Sequence, residues 1–455
     1  GRKVLVFSDG RQKAARLAPA LEHSHARDLF RQVLAIAASE LKSQAQITSM
    51  YSLYPAIVWV CQQRGICLFP APDEREFHDH LRRARGKTLK QLVDAGNQNL
   101  FRPTQSYAQQ LFSEMTDKYY SLNALALATI EEDPAFSGSF DDFPNVGLEK
   151  DEVLVLFRSW IRLQLEARRF KPPGADISNL GEGREKPEGM DATNPNHIIP
   201  GEFREYLRGI LDDENKLQEV ENWFQNLIRN SGLFDFEDDR YFLQPTGLSL
   251  NLKLEAGWLR CVDCGRMYAE CLADLCPSCL GAVVPADRDY LDSRTGYYRD
   301  QLKRAFDNCS HEPFGLFAAE HSAQLIGRED DEAFNKTERY ELRFQDIPIR
   351  DSKTDQVLPP VDVLSCTTTM EVGIDIGTLS GVALRNVPPH VANYQQRAGR
   401  AGRRGRSVAS VITYAHGSSH DAHFYDHPAT IISGDVIAPA VYIENQKVLR
   451  RHINA

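Results

Sequence analysis

The chain has 455 residues, of which 42% are hydrophobic and 25% charged, and its formal net charge at pH 7 is −10. This length exceeds what one simple hydrophobic core accommodates, so we expect roughly two to four domains. The acidic balance excludes a protein that binds nucleic acid through its bulk charge, and any such contact must come from local basic clusters.

The start of the chain and its cysteines bear on the cellular compartment. No run of about 18 consecutive apolar residues occurs, so we expect no transmembrane helix. The N-terminus reads GRKVLVFSDG, which lacks a signal-peptide pattern, and its first residue is not Met, so we expect a piece of a longer protein. An odd number of cysteines in a leaderless chain favours metal binding over disulfides. We therefore predict a cytoplasmic protein.

The first element is a short apolar run, Val4-Leu-Val-Phe7. Such a run is typical of a parallel strand that is covered on both faces. A turn at Ser8 and Asp9 breaks it, and this turn can cap the helical pattern that follows.

Residues 21–200 are predicted to form a mainly helical insertion with solvated, mixed-charge faces. Helical periodicity runs through residues 26–45, 73–98, 105–130 and 150–170. Residues 171–200 are rich in Pro, Gly and Asn and predict a linker or a long surface loop. Three aromatic residues are candidates for stacking on nucleic-acid bases, although aromatic residues on helical stripes are more often core: Tyr119, Tyr120 and Trp160.

Residues 201–256 are predicted to contain a helix at 214–230 and two strands, Tyr241–Gln244 and Leu248–Leu252. A helix followed by a hairpin fits a winged helix. Such domains either bind duplex nucleic acid or brace their neighbours, and the sequence leaves both roles open.

Two Cys-x-x-Cys pairs, separated by eleven residues, follow within residues 257–285. Each pair supplies two thiolates from one tight turn, which suits tetrahedral Zn²⁺. A redox site would lack the second pair, and a catalytic zinc would keep an open position, so we predict a structural zinc ribbon. Its predicted ligands are Cys261, Cys264, Cys276 and Cys279. Cys271 is expected to be a spare thiol that could replace one of the four.

The C-terminal third returns to strands and polar turns. A helix is predicted at 298–308, followed by a polar turn from Ala319 to Gln324. Apolar runs at Val361–Leu364, Val382–Leu384 and Val411–Tyr414 predict strands, the last of them closing the sheet.

Residues 361–406 carry the chemically most informative pattern. A Thr triplet begins at Thr367, and residues 397–406 contain five arginines spaced by small residues. Gly and Ala let the backbone approach a polyphosphate closely, and guanidinium groups neutralise it bidentately. A solvated basic arm would need neither the glycines Gly399 and Gly402 at fixed offsets nor a buried strand just upstream.

These motifs resemble those of superfamily-2 helicases. The segment from Thr367 to Asp375 resembles motif V, and QQRAGRAGR, ending at Arg403, resembles motif VI. Ser8-Asp9 resembles motif IV, and the turn containing His321 resembles motif IVa. The longer phrases LSCTTTMEVGIDIG and RNVPPHVANYQQRAGRAGRR resemble MrfA-like DNA-repair helicases and the large helicases of bacterial anti-phage systems such as DISARM and Druantia. The long insertion with an internal four-cysteine knuckle favours the defence helicases.

The resemblance implies roles for individual residues. Arg400 and Arg403 would be arginine fingers on the transferring γ-phosphoryl group, and Gln396 would position the nucleotide or the attacking water. The residues implied to bind the nucleotide or to couple the two sites are Gly373, Asp375 and Arg397. Those implied to contact nucleic acid are Ser8, Asp9, His321, Gln324, Thr368 and Thr369.

A Walker A loop is missing from the pattern. Gly86-Lys87-Thr88 is preceded, five residues earlier, by Leu81 instead of the required Gly, and the acidic run at Asp331 follows no apolar strand. The parts that cradle phosphate and bind Mg²⁺ are therefore expected in a first RecA-like domain that lies upstream or on another chain. ATP with Mg²⁺ would be shared between the two domains.

The predicted fold is α/β, a second RecA-like domain with a parallel sheet and flanking helices. Its predicted segments are residues 1–20 and 311–435 (split RecA-like domain), 21–200 (helical insertion), 201–256 (winged-helix-like), 257–285 (zinc ribbon) and 436–455 (C-terminal extension). The predicted function is the C-terminal motor half of an ATP-dependent DNA helicase or translocase in anti-phage defence or DNA repair, with other defence subunits as possible partners. A catalytically silent subunit that binds nucleic acid or a partner through the winged helix and zinc ribbon is the alternative. A zinc-dependent nuclease is excluded because no His/Asp cluster accompanies the cysteine pairs.

Overall fold

The computed structural model describes residues 3–44, 49–69, 75–97, 101–133, 136, 140–180, 186–255, 257–307, 313–321, 336–350, 357–367, 379–402 and 409–436. The chain divides into two compact units, which are described separately. Unit 1 comprises Gly1–Ser24 and Leu316–Ala455, and unit 2 comprises His25–Gly315.

The elements described in these residues are numbered in chain order. The helices are α1 (Arg11–Ser43), α2 (Met50–Arg64), α3 (Arg75–Ala84), α4 (Leu89–Asn97), α5 (Gln105–Thr116), α6 (Lys150–Glu166), α7 (Pro195–Ile198), α8 (Gly201–Leu211), α9 (Glu214–Asn230), α10 (Arg288–Asp307), α11 (Lys336–Phe344), α12 (Val391–Ala398), α13 (Ser419–Asp426) and α14 (Pro428–Ile432). The strands are β1 (Val4–Phe7), β2 (Ala128–Glu132), β3 (Phe234–Glu237), β4 (Arg240–Leu243), β5 (Leu248–Leu252), β6 (Leu259–Cys261), β7 (Met267–Tyr268), β8 (Val283–Pro285), β9 (Ala318–His321), β10 (Val363–Cys366), β11 (Gly381–Leu384) and β12 (Ser410–Thr413).

Unit 1 is built on a parallel sheet of five described strands in the order β12-β11-β1-β10-β9. Val4 of β1 stands opposite Val363 of β10 on one side and Gly381 of β11 on the other. The predicted strands in this part of the chain are confirmed, and so is the α/β class. Leu5 and Phe7 are fully buried, as expected for a strand that is covered on both faces.

The order of these strands contains a topological switch point. From β1 the chain leaves through α1 and the whole of unit 2, and it returns to the sheet at β9 and β10 on one side of β1. It then crosses to β11 and β12 on the other side. In open α/β sheets the crevice at such a reversal, at the carboxyl ends of the strands, is where ligands bind.

Unit 2 has one large apolar core that runs from the C-terminal half of α1 to α10. Residues on both sides of the predicted boundary at residues 200 and 201 contribute to it, such as Trp160 and Phe224, whose rings lie 4.5 Å apart. Trp160 is fully buried and donates from its indole N–H to the Ile198 carbonyl at 2.7 Å, so it is a core residue and not a stacking residue.

Two predictions for unit 2 are wrong. Residues 171–200 are not a linker, because Met190 and Ile198 are buried in the core and Met190 exchanges backbone hydrogen bonds with Tyr241. Several described residues of this segment, such as Gly174 and Asn179, are exposed, so the alternative of a surface loop stays a prediction. The helix predicted at 105–130 ends at Thr116, and the chain then enters β2.

The hairpin predicted from the strands at 241–244 and 248–252 is also wrong in its pairing. β4 pairs with β3 across a two-residue turn at Asp238 and Asp239, both of which have positive φ, and this geometry matches the twist of a tight hairpin. β5 instead pairs antiparallel with β2, more than a hundred residues away. The helix predicted at 214–230 is confirmed as α9. The winged-helix assignment stays a prediction.

Among the helices that the structure describes, none combines the length and apolarity needed to cross a bilayer.

Candidate nucleic-acid and nucleotide site

A cleft of about 390 Å³ lies in unit 1 at the carboxyl ends of β1 and β11, the position of the switch point. The segment after β12 forms its third wall. The lining residues are Ser8, Asp9, Gly10, Lys13, Arg385, Asn386, His416, Gly417, Ser418 and Asp421. Because parallel strands end at one edge of the sheet, residues that are remote in sequence meet in this cleft.

Asp9 is the central anion of the cleft. Its Oδ1 accepts a hydrogen bond from Nη1 of Arg397 at 2.7 Å, and its Oδ2 accepts one from the side-chain amide of Asn386. The Arg397 guanidinium is almost fully buried and also lies over the Phe7 ring, 5.4 Å from its centroid. The pair therefore connects the turn after β1 to α12, and it joins two residues that the sequence assigned to different ligands.

Arg385 and Lys13 supply cations to the same cleft. Arg385 follows β11 directly, and its Nη1 donates to the carbonyl of Lys13 at 2.9 Å, which holds the arginine beside the first turn of α1. The Lys13 side chain is exposed. The Asp9 carboxylate is paired with Arg397, and the other lining carboxylate, Asp421, accepts from backbone N–H groups, so Lys13 and Arg385 are the cations that line this cleft.

Asp421 shapes the wall formed after β12. Its carboxylate accepts from the backbone N–H of His416 at 2.8 Å, from that of Val387 at 3.4 Å and from the Ser418 hydroxyl at 3.1 Å. Burial alone would raise the pKa of Asp421, but these donors outweigh it and hold the pKa below its ordinary value of 3.8. The carboxylate thus ties the loop after β11 to the start of α13.

The motif VI residues lie on and after α12. Gln396 is exposed, whereas Arg397 and Arg400 are buried. Gly402 has a φ of +77°, and a Cβ there would come within 2.8 Å of the Cβ of Ala409, so a glycine is required at this turn. Arg403 lies outside the described residues.

His321 is placed differently from its prediction. Residues 319–321 are not a polar turn but the end of β9, at the edge of the sheet opposite β12. The His321 side chain is buried and its Nε2 lies 2.6 Å from Oε1 of Glu341 on α11. The polar residues of this segment predicted a turn. The segment is a strand instead, because β9 pairs with β10 and alternate side chains of β9 are covered.

The structure thus brings together only part of the predicted set. Ser8, Asp9 and Arg397 meet at the cleft, although Ser8 is itself buried. The predicted residues that lie outside the described residues are Gln324, Thr368, Thr369, Gly373, Asp375 and Arg403.

Eight of the ten residues that line the cleft were not predicted from the sequence. Among them are Lys13, Arg385, Asn386 and Asp421. Two of them could have been predicted from their position in the sequence, because Arg385 and Asn386 come directly after an apolar strand of a parallel sheet.

The four predicted zinc ligands of unit 2 form a cluster. Among the described residues, the sulfurs of Cys261, Cys264, Cys276 and Cys279 all lie within 4.8 Å of one another. The Cys261–Cys279 and Cys264–Cys276 sulfur distances are 3.5 and 3.7 Å. Tetrahedral Zn²⁺ with Zn–S bonds of about 2.3 Å would separate its sulfurs by about 3.8 Å, so the donor set fits this ion. Cys271 lies outside the cluster.

Two similar turns present these cysteines. The N–H of Gly265 bonds to the carbonyl of Cys261, and the N–H of Leu280 bonds to that of Cys276. Gly265 and Leu280 both have positive φ, 66° and 63°. A Cβ on Gly281 would lie 3.0 Å from Sγ of Cys261, so a glycine at this position leaves room for the cysteine sulfur.

The Asp421 carboxylate generates a prediction about pH. Its folded pKa is depressed, so its contribution to stability is complete above its ordinary pKa of 3.8 and is lost as the pH falls through the lower folded value. Asp421→Asn should lower the melting temperature at neutral pH, and this difference from the wild type should shrink as the pH falls below about 4.

Thermal melts between about pH 7 and pH 3 would measure this difference. Asp426→Asn, which changes an exposed carboxylate on the same helix, is the matched control and should melt like the wild type throughout. A difference that stays constant with pH would contradict the assignment.

Part of unit 1 matches a known protein family. Residues 350–405 match the family "Helicase conserved C-terminal domain". The Druantia protein DruE of Escherichia coli (strain UMEA 4076-1) is 36% identical over 474 aligned positions, which cover 100% of this chain and 25% of that protein. The chain thus spans about a quarter of the length of this relative.

One solved structure is also similar in sequence. It is the crystal structure of the helicase MrfA bound to DNA, with 26% sequence identity and a TM-score of 0.21. The match covers 26% of this chain and 14% of the MrfA chain. The resemblance to helicases that the motifs predicted is confirmed by the family match of residues 350–405, and the whole chain is similar to a Druantia protein.

Proposed function

We propose that this chain is the C-terminal motor half of an ATP-dependent helicase or translocase that acts on DNA in anti-phage defence. The observation that carries the proposal is the helicase-family match of residues 350–405, which include motifs V and VI. DNA repair is the less favoured setting, because the chain matches the Druantia protein over its whole length.

In this proposal the two RecA-like domains close on ATP. Mg²⁺-ATP supplies the phosphoryl group whose transfer to water drives the cycle, and the upstream domain supplies its phosphate cradle. Arg400 and Arg403 of this chain neutralise the charge that develops on that group, and Gln396, exposed on α12, faces the nucleotide side. Gly373 and Asp375 couple this event to the nucleic-acid grip.

The ion pair between buried Arg397 and exposed Asp9 gives this coupling a physical path. It connects α12, which carries motif VI, to the turn after β1, which lines the cleft. We propose that Arg397 acts as a positioning residue through this pair rather than as a direct ligand of the nucleotide. The DNA backbone follows the cleft, held there by Lys13 and Arg385 with contacts that are independent of base sequence. The hydroxyls of Thr368 and Thr369, which lie outside the described residues, would contact phosphate as well.

The arginine finger is tested by ATP hydrolysis in the full-length protein with single-stranded DNA, with single-stranded RNA and without nucleic acid. Arg403→Ala should reduce DNA-stimulated turnover by about a thousandfold while DNA binding persists, because a finger stabilises the transferring phosphoryl group and not the DNA. Arg82→Ala is the control, since this arginine is largely exposed in unit 2.

Two results would favour the alternative function. DNA binding without ATP hydrolysis in the wild type would identify a nucleic-acid or partner-binding subunit. ATP hydrolysis that is unchanged in the Arg403→Ala variant would point to the same alternative. Turnover that only RNA stimulates would correct the substrate.

The cleft is tested by the salt dependence of binding. Lys13→Ala combined with Arg385→Ala should weaken binding of single-stranded DNA equally for all sequences. It should also reduce the slope of log K against log salt by about 0.7 per lost phosphate contact. Lys42→Ala, an exposed lysine in the last turn of α1, is the matched control. An unchanged slope in the double variant would place the DNA elsewhere.

The four-cysteine cluster is proposed to bind one structural Zn²⁺ ion. Cys264→Ser should abolish zinc binding, measured by atomic absorption. It should also lower the melting temperature, because binding of a structural zinc ion contributes directly to the free energy of folding. Cys271→Ser should retain the metal, since that thiol lies outside the cluster. Equal zinc loss in both variants would contradict the ligand assignment.

A further inference from the structure

Unit 2 exposes a group of tyrosines that the motor does not use. Tyr119 is 63% exposed, Tyr120 44% and Tyr297 65%, whereas most large aromatic residues of this unit are buried. The Tyr120 and Tyr298 rings lie 5.5 Å apart, and those of Tyr297 and Tyr298 lie 5.4 Å apart. We call the four residues Tyr119, Tyr120, Tyr297 and Tyr298 the tyrosine platform.

The segment that carries Tyr119 and Tyr120 is held rigidly at both faces of its backbone. Oδ1 of Asp117, the residue that follows α5, accepts from both tyrosine N–H groups at 2.8 Å. The Tyr120 carbonyl accepts from Nη2 of Arg31 at 3.0 Å and from Nη2 of Arg27 at 3.3 Å. The backbone that carries the two tyrosines is therefore anchored at its N–H groups and at one carbonyl.

A buried ion cluster anchors these two arginines. Glu114 is fully buried and accepts from Nε of Arg27 at 3.0 Å and from Nε of Arg31 at 2.8 Å. Replacing such a buried cluster by apolar residues is often neutral for stability, so its presence is not explained by stability alone. Fixing exposed aromatic rings in advance reduces the ordering cost when they bind a ligand.

The charges around the platform indicate what it binds. The Lys118 ammonium lies 5.6 Å from the Tyr119 ring centroid, and the Arg31 guanidinium lies 5.4 Å from that of Tyr298. Exposed Arg304 is seven residues after Tyr297 on α10 and so projects from the same helix face, with the exposed acid Asp300 one turn from Tyr297.

Aromatic faces beside exposed cations are the combination that holds unpaired bases and their phosphates. A platform for a purely apolar partner would favour aliphatic side chains and would not need Lys118 and Arg304 at its rim. We propose that the tyrosine platform is a second nucleic-acid site, at which the unpaired bases of a single strand stack on Tyr119 and Tyr297. This inference rests on the proposed function in one respect, namely that the protein acts on nucleic acid.

The platform would give unit 2 a role in holding a strand independently of the ATP cycle. Stacking on aromatic rings is tolerant of base identity, so this site would add affinity without sequence preference. Its contribution should not depend on nucleotide, because Tyr119 and Tyr297 lie in the unit that lacks motifs V and VI.

The test is fluorescence anisotropy of the full-length protein with labelled single strands of twenty thymidines or twenty uridines, without nucleotide. Tyr119→Leu combined with Tyr297→Leu should weaken binding about tenfold or more, because it removes two stacking faces but keeps apolar bulk. Tyr119→Phe combined with Tyr297→Phe keeps the rings and should bind within about twofold of the wild type. Tyr51→Leu, an exposed tyrosine elsewhere in unit 2, is the control.

The outcomes separate this proposal from the motor. ATP hydrolysis of the leucine variant at saturating DNA should stay close to that of the wild type, because its motor residues are intact. If the wild type binds the strands but does not hydrolyse ATP, the motor proposal fails. The platform is then still tested by the loss of affinity in the leucine variant. Unchanged affinity of the leucine variant would overturn the platform as a nucleic-acid site. An equal loss in the phenylalanine variant would overturn stacking as its mechanism.

Discussion

The pairing of β1 with two strands from the other end of the chain is the constraint on which the architecture depends. Val4–Phe7 stands between Val363–Cys366 and Gly381–Leu384, so the central strand of the sheet is completed only by residues more than 350 positions away. Until the C-terminal third is in place, β1 has no partners for its backbone groups, and leaving such groups buried and unpaired is costly. The chain must therefore leave the sheet after β1 and return to it before β10 and β11 can pair with that strand.

Unit 2 satisfies this condition by having its own core. Its buried residues run from α1 to α10 and include those of the segment that composition suggested was a linker. A unit with its own contiguous apolar core has the packing that is typical of a separate domain. The four-cysteine cluster, which we propose to hold zinc, lies in this unit where a ribbon of three short strands offers little apolar surface of its own.

Buried arginines have the same task in both units. Arg397 is buried against Phe7 and holds Asp9 at the mouth of the cleft, and Arg31 is buried against Glu114 and holds the carbonyl of Tyr120. In each case a desolvated guanidinium is satisfied by a carboxylate and fixes a segment that faces solvent. Arginine suits this task because its planar fork donates in several directions at once and keeps its charge when buried.

Local patterns in the sequence determined those features that depend only on neighbouring residues. Continuous apolar runs identified β1, β10, β11 and the edge strand β12, helical periodicity gave the limits of α9, and the spacing of two cysteine pairs identified the cluster. Motif VI was likewise recognisable from local sequence, because a glycine at a fixed position can be required by the conformation of a single turn. The positive φ of Gly402 is an example.

The tertiary structure alone decided which distant segments meet. β5 pairs with β2 and not with the nearer β4, His321 ends a covered edge strand, and the cleft combines the ends of β1 and β11 with the loop after β12. Asp9 and Arg397 were both marked by sequence, but for different ligands, and only the fold showed that they are paired. The physical reason is that periodicity and spacing report on a few consecutive residues, whereas strand order and buried ion pairs depend on packing between segments hundreds of residues apart.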